Sequence, residues 1–239
     1  MRAASPGRRD GFDFGSVFDS CVERPSYAAL LRELWSLLSY RSPRPVPGDL
    51  PCGDGRAVLV IPGFLCGDGL TAPLRTALSA CGFRAFGWNL GMNWGPTPRL
   101  LSGLEARARH LHAQHGPLAL IGISLGGLLA RNLAYDRPGD ISHVVTVATP
   151  LRLPTASTLE PLVRLCARRY SPALDPARLQ LPLPVPTTII YTRDDGIVAS
   201  ESCRIDATGQ DAIELTGPHL TLASTPAALT AIVRRLAAA

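Results

Sequence analysis

A serine flanked by glycines is the first feature of the sequence that can carry chemistry. Residues 122–126 read Gly-Ile-Ser-Leu-Gly, which matches the pattern G-x-S-x-G, and Gly127 follows. The apolar run LALIG before the serine predicts a buried strand, and LGGLLARNLAY after it predicts a helix. A serine on such a tight strand-to-helix turn has a strained backbone, and larger neighbours would clash there. This context predicts that Ser124 is a nucleophile rather than part of an ordinary glycine-rich turn.

Further motifs follow the order typical of one superfamily. Pro62-Gly63-Phe64 comes after the first predicted strand, Asp-Asp-Gly-Ile-Val occupies 194–198, and Gly-Pro-His occupies 217–219. Together with GISLGG, they make the segment from about residue 50 to 239 resemble the α/β-hydrolase superfamily, specifically its small lipase- and esterase-like members. The resemblance implies a triad in the chain order serine, acid, histidine.

The histidine of such a triad must follow the acid in the chain. The five histidines are His110, His112, His115, His143 and His219. The first three lie in a predicted helix before Ser124, where we expect surface residues, and His143 lies just before a strand at the opposite end of the sheet. His219 is the one histidine that follows the candidate acids, in a loop from which it can accept the proton of Ser124 and later donate it to the leaving group.

The acid is expected at the end of a late strand, from which it reaches the far nitrogen of the imidazole. The run Thr187 to Thr192 predicts that strand, and two aspartates follow it. Asp195 is favoured, because in similar hydrolases the acid stands directly before a small residue and an aliphatic pair. Asp194 remains the alternative, and otherwise caps the turn or binds backbone groups.

Two backbone N–H groups normally stabilise the oxyanion in acyl transfer. The resemblance implies that these belong to Leu125, after the nucleophile, and to Phe64, in a loop similar to the family's HGF type. Pro62 stands where that loop commonly has histidine, which removes a side-chain anchor but no donor.

The substrate pocket is predicted near two apolar stretches. Leu65 is expected to help wall the acyl site. The loop 88–98, WNLGMNWGPTP, follows the W-x-L-G-x-N-x-G-P pattern of similar hydrolases. It predicts that Trp88, Met92 and Trp94 line the substrate entrance, with a turn packed on the core as the alternative.

Short apolar runs alternate with helical patterns along residues 50–239, which predicts an α/β fold with a doubly wound, mostly parallel sheet of the α/β-hydrolase type. The predicted strands are 57–61, 84–88, 118–122, 144–148, 187–191 and 213–215. The predicted helices are 70–81, 100–115, 125–135 and 226–236, with a further helix at 159–169. The last of these lies in the proline-rich segment 151–186, a lid-like insertion between two core strands, with a decorative insertion as the alternative.

Residues 1–49 are predicted to be a leader with an amphipathic helix at Ser26 to Leu38, followed by a Pro/Gly-rich linker at 42–55. We expect this helix to pack against the catalytic domain, 50–239. An alternative position on a lipid surface is less favoured, because the polar face of the helix is not rich in basic residues.

Composition excludes several classes of function. The net charge is +5, but all 24 basic residues are arginines scattered along the chain, which argues against a nucleic-acid-binding stripe. No apolar run reaches the roughly 20 residues of a membrane-spanning helix, and the N-terminus lacks a signal-peptide core, so a cytoplasmic location is expected. The six cysteines show no metal-ligand spacing and are expected to be mostly buried thiols.

The sequence therefore predicts a serine carboxylester hydrolase, of the esterase or lipase type, acting through an acyl-enzyme without metal or cofactor. A small ester with an apolar acyl group is the expected substrate. An acyltransferase with the same triad and a non-catalytic binding protein on a hydrolase fold are the alternatives.

Overall fold

The computed structural model of this chain describes residue 18 and residues 23–39, 50–153, 155–171, 174–204 and 210–238. The strands are β1 (Ala57–Ile61), β2 (Arg84–Gly87), β3 (Leu118–Ile123), β4 (Ile141–Val147), β5 (Thr187–Thr192) and β6 (Gln210–Leu215). The helices are α1 (Tyr27–Ser39), α2 (Asp68–Ala80), α3 (Pro98–His115), α4 (Leu125–Asp136), α5 (Glu160–Ala167), α6 (Pro176–Leu179) and α7 (Pro226–Ala237). Short 3-10 helices lie at 138–140, 200–203 and 222–224.

The six strands form one parallel sheet in the order β2-β1-β3-β4-β5-β6. Every residue of the AVLVI run in β1 is buried, because helices cover both faces of the sheet. The carboxyl ends of all the strands meet at the same edge, which is where open parallel sheets place their functional loops.

Helices cover the sheet on two sides. The apolar faces of α2 and α7, including Leu74 and Val233, pack on one side. Those of α3 and α4, including Leu104 and Leu133, pack on the other. The predicted doubly wound α/β architecture is confirmed, and the observed sheet is entirely parallel.

One histidine lies elsewhere than predicted. Strand β4 begins at Ile141, three residues before the predicted start, so His143 lies within the strand instead of before it. Its imidazole is buried, and Nε2 lies 3.0 Å from the hydroxyl oxygen of Thr188 on β5. The polar ring therefore has a hydrogen-bonding partner inside the sheet layer.

Helix α1 packs against the domain with an unexpected face. Ala29 and Glu33 are the buried residues, whereas the exposed fractions of Trp35 and Leu38 are 69% and 82%. The largest apolar side chains of the helix are therefore exposed to solvent, although the helix packs against the rest of the molecule. Glu33 faces the domain together with Ala29 and the partly buried Leu30, which packs on the apolar cluster of Phe64.

The segment 151–186 folds over the carboxyl edge of the sheet. Its start is held by the carbonyl of Ser202, which accepts hydrogen bonds from the N–H groups of Leu151 and Arg152 at 2.7 and 2.8 Å. Val163 on α5 and Leu179 on α6 belong to an apolar cluster that also includes Phe64 and Leu125, which lie beside Ser124. The insertion is thus part of the core beside the predicted site.

Neither a membrane span nor a metal cluster is found in the part of the chain that the structure describes. No described helix is both long and apolar enough to cross a bilayer. Groups of three or more His, Cys, Asp or Glu side chains with the geometry of a metal site are absent from the described residues. The five described cysteines are free thiols, with Cys81 and Cys203 buried and Cys52 exposed, and Cys21 lies outside the described residues.

Candidate active site

Ser124 occupies the turn between β3 and α4. Its backbone has φ 53° and ψ −123°, a conformation that is strained for any residue with a side chain. Neighbouring strands hold the turn, because the Ser124 N–H donates to the carbonyl of Val147 at 2.8 Å. The Thr149 hydroxyl donates to the Ser124 carbonyl at 3.0 Å. Fixed in this way, the serine projects from the carboxyl edge of the sheet.

The glycines around Ser124 are required by space. A Cβ at Gly126 would lie 2.3 Å from the carbonyl oxygen of Ile61, and one at Gly127 would lie 2.0 Å from the hydroxyl oxygen of Thr149. A Cβ at Gly122 would lie 2.4 Å from the carbonyl oxygen of Gly126. Larger residues at these positions would push α4 away from β1 and β4, and the serine with it.

His219 and Asp195 form a buried pair. The imidazole Nδ1 lies 2.7 Å from Oδ2 of Asp195, and both side chains are almost fully shielded from solvent. The other oxygen, Oδ1, accepts hydrogen bonds from the N–H groups of Ile197 and Val198 at 2.9 and 2.8 Å. The carboxylate is therefore fixed by the backbone that follows it, and the ring is oriented by the carboxylate.

Asp194 points elsewhere. Its N–H donates to the hydroxyl of Thr192 at 3.1 Å, and its Oδ2 lies 3.4 Å from the N–H of Gly217. Of the two aspartates weighed from the sequence, it is Asp195 that contacts the imidazole.

The charges around His219 favour its protonated form. Burial lowers the pKa of His219, but the charge of Asp195 and the hydrogen bond to it, together with the charge of Glu33, outweigh burial and raise the pKa above its usual value. Such an imidazole binds a proton more readily than one in water, which suits a group that must accept a proton during a reaction.

The loop after β1 lies directly against Ser124. A Cβ at Gly63 would lie 3.2 Å from the Ser124 Cβ, so the 62–66 loop and the serine are in near contact. Asn93 holds this loop, because its side-chain amide donates to the Pro62 carbonyl at 2.8 Å and its backbone carbonyl accepts from the Leu65 N–H at 2.8 Å. The Leu65 donor is therefore engaged, which leaves Phe64 as the better oxyanion candidate in this loop.

The second predicted oxyanion donor begins a helix. Leu125 is the first residue of α4, and the first N–H groups of a helix lack acceptors within the helix. The amide dipoles of the helix also favour negative charge at this end. The position of Leu125 thus suits an anion that forms beside Ser124.

Two cavities meet at Ser124, and Phe64 also lines both. The first, of about 30 Å³, includes His219. The second, of about 60 Å³, is mostly apolar and includes Leu128 of α4 and Val163 of α5. A reacting carbonyl at Ser124 would have the histidine on one side and an apolar space on the other.

Comparison with known proteins gives matches by structure only. No family model matches the chain, and no curated protein matches it by sequence. A thioesterase domain from the curacin biosynthetic pathway has 17% identity and a TM-score of 0.53, covering 77% of this chain and 92% of its own. A monoacylglycerol lipase from Paleococcus ferrophilus has 16% identity and a TM-score of 0.55, covering 79% and 96%. The naproxen esterase from Bacillus subtilis has 15% identity and a TM-score of 0.53, covering 87% and 95%.

The chain has the α/β-hydrolase fold. These matches and the parallel sheet agree with the resemblance seen in the sequence motifs. At such low identity they establish the architecture alone, and the chemistry of the chain has to be argued from its own site.

Within this α/β-hydrolase fold, the predicted pocket residues lie outside the two cavities at Ser124. Trp88 is fully buried in the core between the sheet and α3, where its indole N–H donates to a backbone carbonyl. Met92 and Trp94 are half exposed and line a separate surface groove of about 950 Å³. Leu65 packs on the core behind the loop. This groove is much larger than the cavities at Ser124, but none of the triad candidates lines it. Its size is therefore no evidence for a catalytic site there.

Sequence reasoning missed two residues that hold the site. Asn93 is fully buried, and its place in the W-x-L-G-x-N-x-G-P pattern was the signal that could have marked it. Glu33 on α1 contacts the loops of Asp195 and His219, and its one available signal was a lone carboxylate in an otherwise apolar helix.

Proposed function

We propose that this chain is a serine hydrolase that cleaves carboxylic esters through Ser124, His219 and Asp195. The observation that carries the proposal is the buried contact between His219 Nδ1 and Asp195 Oδ2, because His219 also lines a cavity that Ser124 lines. A serine on a strained turn, a histidine oriented by a carboxylate and a shared cavity are the parts that acyl transfer needs.

In the proposed reaction, the Ser124 hydroxyl attacks the ester carbonyl while His219 Nε2 takes its proton. Asp195 keeps the Nδ1–H oriented and stabilises the imidazolium that forms. The N–H groups of Phe64 and Leu125 bind the oxyanion. The C–O bond then breaks, and the imidazolium protonates the departing alcohol. Water, deprotonated by His219, releases the acid and regenerates the Ser124 hydroxyl.

The acyl group of the proposed substrate occupies the apolar cavity. A water molecule needs a probe-sized space of about 10–15 Å³, so 60 Å³ corresponds to only a few such volumes. We therefore expect short acyl chains to react faster than long ones. This preference rests on the small volume of the cavity, part of whose wall is Val163 of α5.

A panel of p-nitrophenyl esters from acetate to octanoate, with the purified chain, tests both points. We expect kcat/KM to be highest for the short esters, and Ser124→Ala to lower it by about 10⁴-fold or more. Ser102→Ala is the matched control, because Ser102 is exposed on α3 and should retain full activity.

Covalent labelling separates the outcomes. A fluorophosphonate probe should label the wild type and Ser102→Ala but not Ser124→Ala. Equal labelling of wild type and Ser124→Ala, or no hydrolysis of any ester, would contradict the proposal. Transfer of the acyl group to an added alcohol in preference to water would assign the same triad to an acyltransferase.

A further inference from the structure

A buried carboxylate on α1 is the one charged side chain with which this helix faces the domain. The exposed fraction of Glu33 is 1%, although most residues around it on the helix are exposed. Burying an ionised carboxylate is unfavourable unless hydrogen-bond donors replace the lost water. The donors that surround Glu33 therefore identify the part of the protein to which this helix is attached.

Three backbone N–H groups donate to Glu33. Its Oε1 accepts from Gly196 and from His219, each at 2.9 Å, and its Oε2 accepts from Leu220 at 3.0 Å. An ionised carboxylate can only accept hydrogen bonds, so all three contacts suit its charged form. One side chain thus joins the loop that carries Asp195 to the loop that carries His219.

The helix approaches the Asp195 loop closely enough to require a glycine there. A Cβ at Gly196 would lie 2.7 Å from the Ala29 carbonyl oxygen and 2.8 Å from the Glu33 Cγ. Such contacts are possible only for a residue without a side chain. The fit shows that α1 and this loop are packed against each other and that Glu33 is held within reach of both loops.

We propose that Glu33 is a positioning residue of the active site, which ties the backbone beside Asp195 to the backbone of His219 and so holds the imidazole in place for Ser124. This inference rests on the proposed esterase function. Glu33 contacts no ring atom, and it acts through the N–H groups of the two loops. Helix α1, which precedes the hydrolase domain in the chain, is then an integral part of the catalytic centre.

The charge of Glu33 adds a second consequence. The charged groups that act on the imidazole are Asp195, from the loop after β5, and Glu33, from α1, and both raise the pKa of His219 against the effect of burial. The Cys203 thiol, on the 3-10 helix at 200–203, faces Asp195, and burial raises its pKa well above the usual value, so it stays neutral. Without the Glu33 charge, the pKa of His219 should fall.

The Glu33→Gln variant tests the proposal, because it keeps the shape but removes the charge and presents an NH₂ where an oxygen accepted. We expect kcat on p-nitrophenyl acetate to fall by about 10- to 100-fold with KM changed less than about threefold, since a small misplacement of a catalytic group has effects of this size. His219 must be neutral to act as a base, so activity rises with pH through its pKa. A lower pKa therefore shifts the acidic limb of the kcat/KM profile to lower pH.

Arg32→Gln is the matched control, because Arg32 is the exposed neighbour on the same helix and should show wild-type kcat and pH profile. Wild-type kcat and pH profile in Glu33→Gln would overturn the proposal. So would a loss of activity that only follows a loss of folded protein, measured by circular dichroism, with the pH profile unchanged.

If Glu33→Gln does not fold, Glu33→Asp decides, because it keeps the charge on a shorter side chain that cannot reach both loops. A folded Glu33→Asp with reduced kcat and a nearly unchanged acidic limb supports the proposal, and one with wild-type kcat overturns it. If Glu33→Asp also fails to fold, Glu33 contributes to stability alone, and the proposal of a positioning role is overturned.

A measurement that needs no substrate tests the role of Glu33 independently of the proposed esterase function. The imidazole of His219 can be titrated by NMR in the wild type and in Glu33→Gln. If the wild type hydrolyses no ester, the proposed function fails. A titration pKa of His219 that falls in Glu33→Gln still supports the electrostatic contact, and an unchanged pKa overturns it independently.

Discussion

Two buried charged side chains, Glu33 and Arg131, connect segments outside the sheet to the rest of the molecule. One does so as a hydrogen-bond acceptor and the other as a donor. Glu33 is an acceptor on the N-terminal helix α1, and it reaches into the loops of the candidate active site. Arg131 is a donor on the core helix α4, and it reaches out to the insertion. In each region a charged side chain satisfies backbone groups outside the sheet, in the loops of Asp195 and His219 in one case and at the end of α6 and just after it in the other.

The Arg131 contacts are made at the far end of the insertion. The side chain is fully buried, its Nε donates to the carbonyl of Leu179 at 2.8 Å, and its Nη2 donates to the carbonyl of Leu181. The Tyr135 hydroxyl donates to the Leu181 carbonyl as well. Burial lowers the pKa of Arg131, which nearby Tyr135 partly offsets.

The difference between the two regions lies in what their backbone partners carry. The partners of Glu33 belong to the segments that bear Asp195 and His219, so its loss should affect turnover. The partners of Arg131 are the last residue of α6 and Leu181 just after it, in a segment that bears none of the triad candidates, so its loss should affect stability. A buried charge is therefore informative about function through the segments that it joins, and burial alone does not distinguish the two cases.

The largest expected effect is the loss of activity on substitution of Asp195, one of the two residues whose loops Glu33 joins. Asp195→Asn should lower kcat/KM for p-nitrophenyl acetate by about 10⁴-fold, because an amide favours the wrong imidazole tautomer. Asp194→Asn is the control and should change activity less than about fivefold, since a surface substitution away from the ring has little effect. A larger loss in Asp194→Asn than in Asp195→Asn would transfer the role of acid to Asp194.

The comparison itself is tested by measuring Glu33→Gln beside Arg131→Met. We expect kcat of Arg131→Met on p-nitrophenyl acetate to stay within about threefold of the wild type, because no catalytic loop loses a contact. Glu33→Gln should lose much more. Similar losses in the two variants, in fully folded protein, would break the distinction between the two regions.

Arg131→Met should change the stability of the fold more than it changes turnover. Arg131→Met removes the Arg131 donor from the Leu179 carbonyl, whereas the Leu181 carbonyl keeps the Tyr135 hydroxyl. The variant also removes a buried guanidinium, so we expect the free energy of unfolding to fall by about 1–3 kcal/mol. Urea unfolding followed by circular dichroism measures it. An unchanged midpoint would mean that Arg131 does not hold the insertion.

The smallest expected effect concerns the part of the insertion that lines the acyl cavity. Val163→Ala should enlarge the cavity and raise the ratio of kcat/KM for butyrate over acetate by about tenfold, the lower end of the effect of one methylene in an apolar pocket. Leu165 on the same helix is 76% exposed, and Leu165→Ala should leave the ratio unchanged. Equal ratios in both variants would place the acyl chain elsewhere.

Much of the architecture follows from local sequence signals. Apolar runs predicted all six strands, and their bounds agree with the structure to within about three residues. The segment GISLGG predicted a strand-to-helix turn at Ser124, which is present, because strain and close packing there demand particular residues at particular neighbouring positions. The chain order implied by the superfamily resemblance left His219 as the candidate base, and the same resemblance favoured Asp195 over Asp194. The structure places the side chains of His219 and Asp195 in contact.

The lining of the cavities at Ser124 could not be predicted in the same way. Trp88, Met92 and Trp94 were chosen because their loop follows a pattern of similar hydrolases, but the structure puts Trp88 in the core and the other two in a separate groove. The walls of the larger apolar cavity come from the 62–66 loop, α4, the segment that leads into α5, α5 itself and the loop that follows Asp195, with Phe18. Which side chains meet there depends on how the insertion packs on the sheet, and hydrophobic periodicity does not specify that.

The sequence by itself determined the sheet, the position of Ser124 and the small set of residues that can serve it, because each is marked by side-chain types within a few residues of one another. Only the tertiary structure decided which groups Glu33 and Arg131 contact. The partners of Glu33 lie 163 to 187 residues away and are backbone N–H groups. Every residue except proline carries such a group, so no side-chain pattern in the sequence marks the ones that a buried charge will bind.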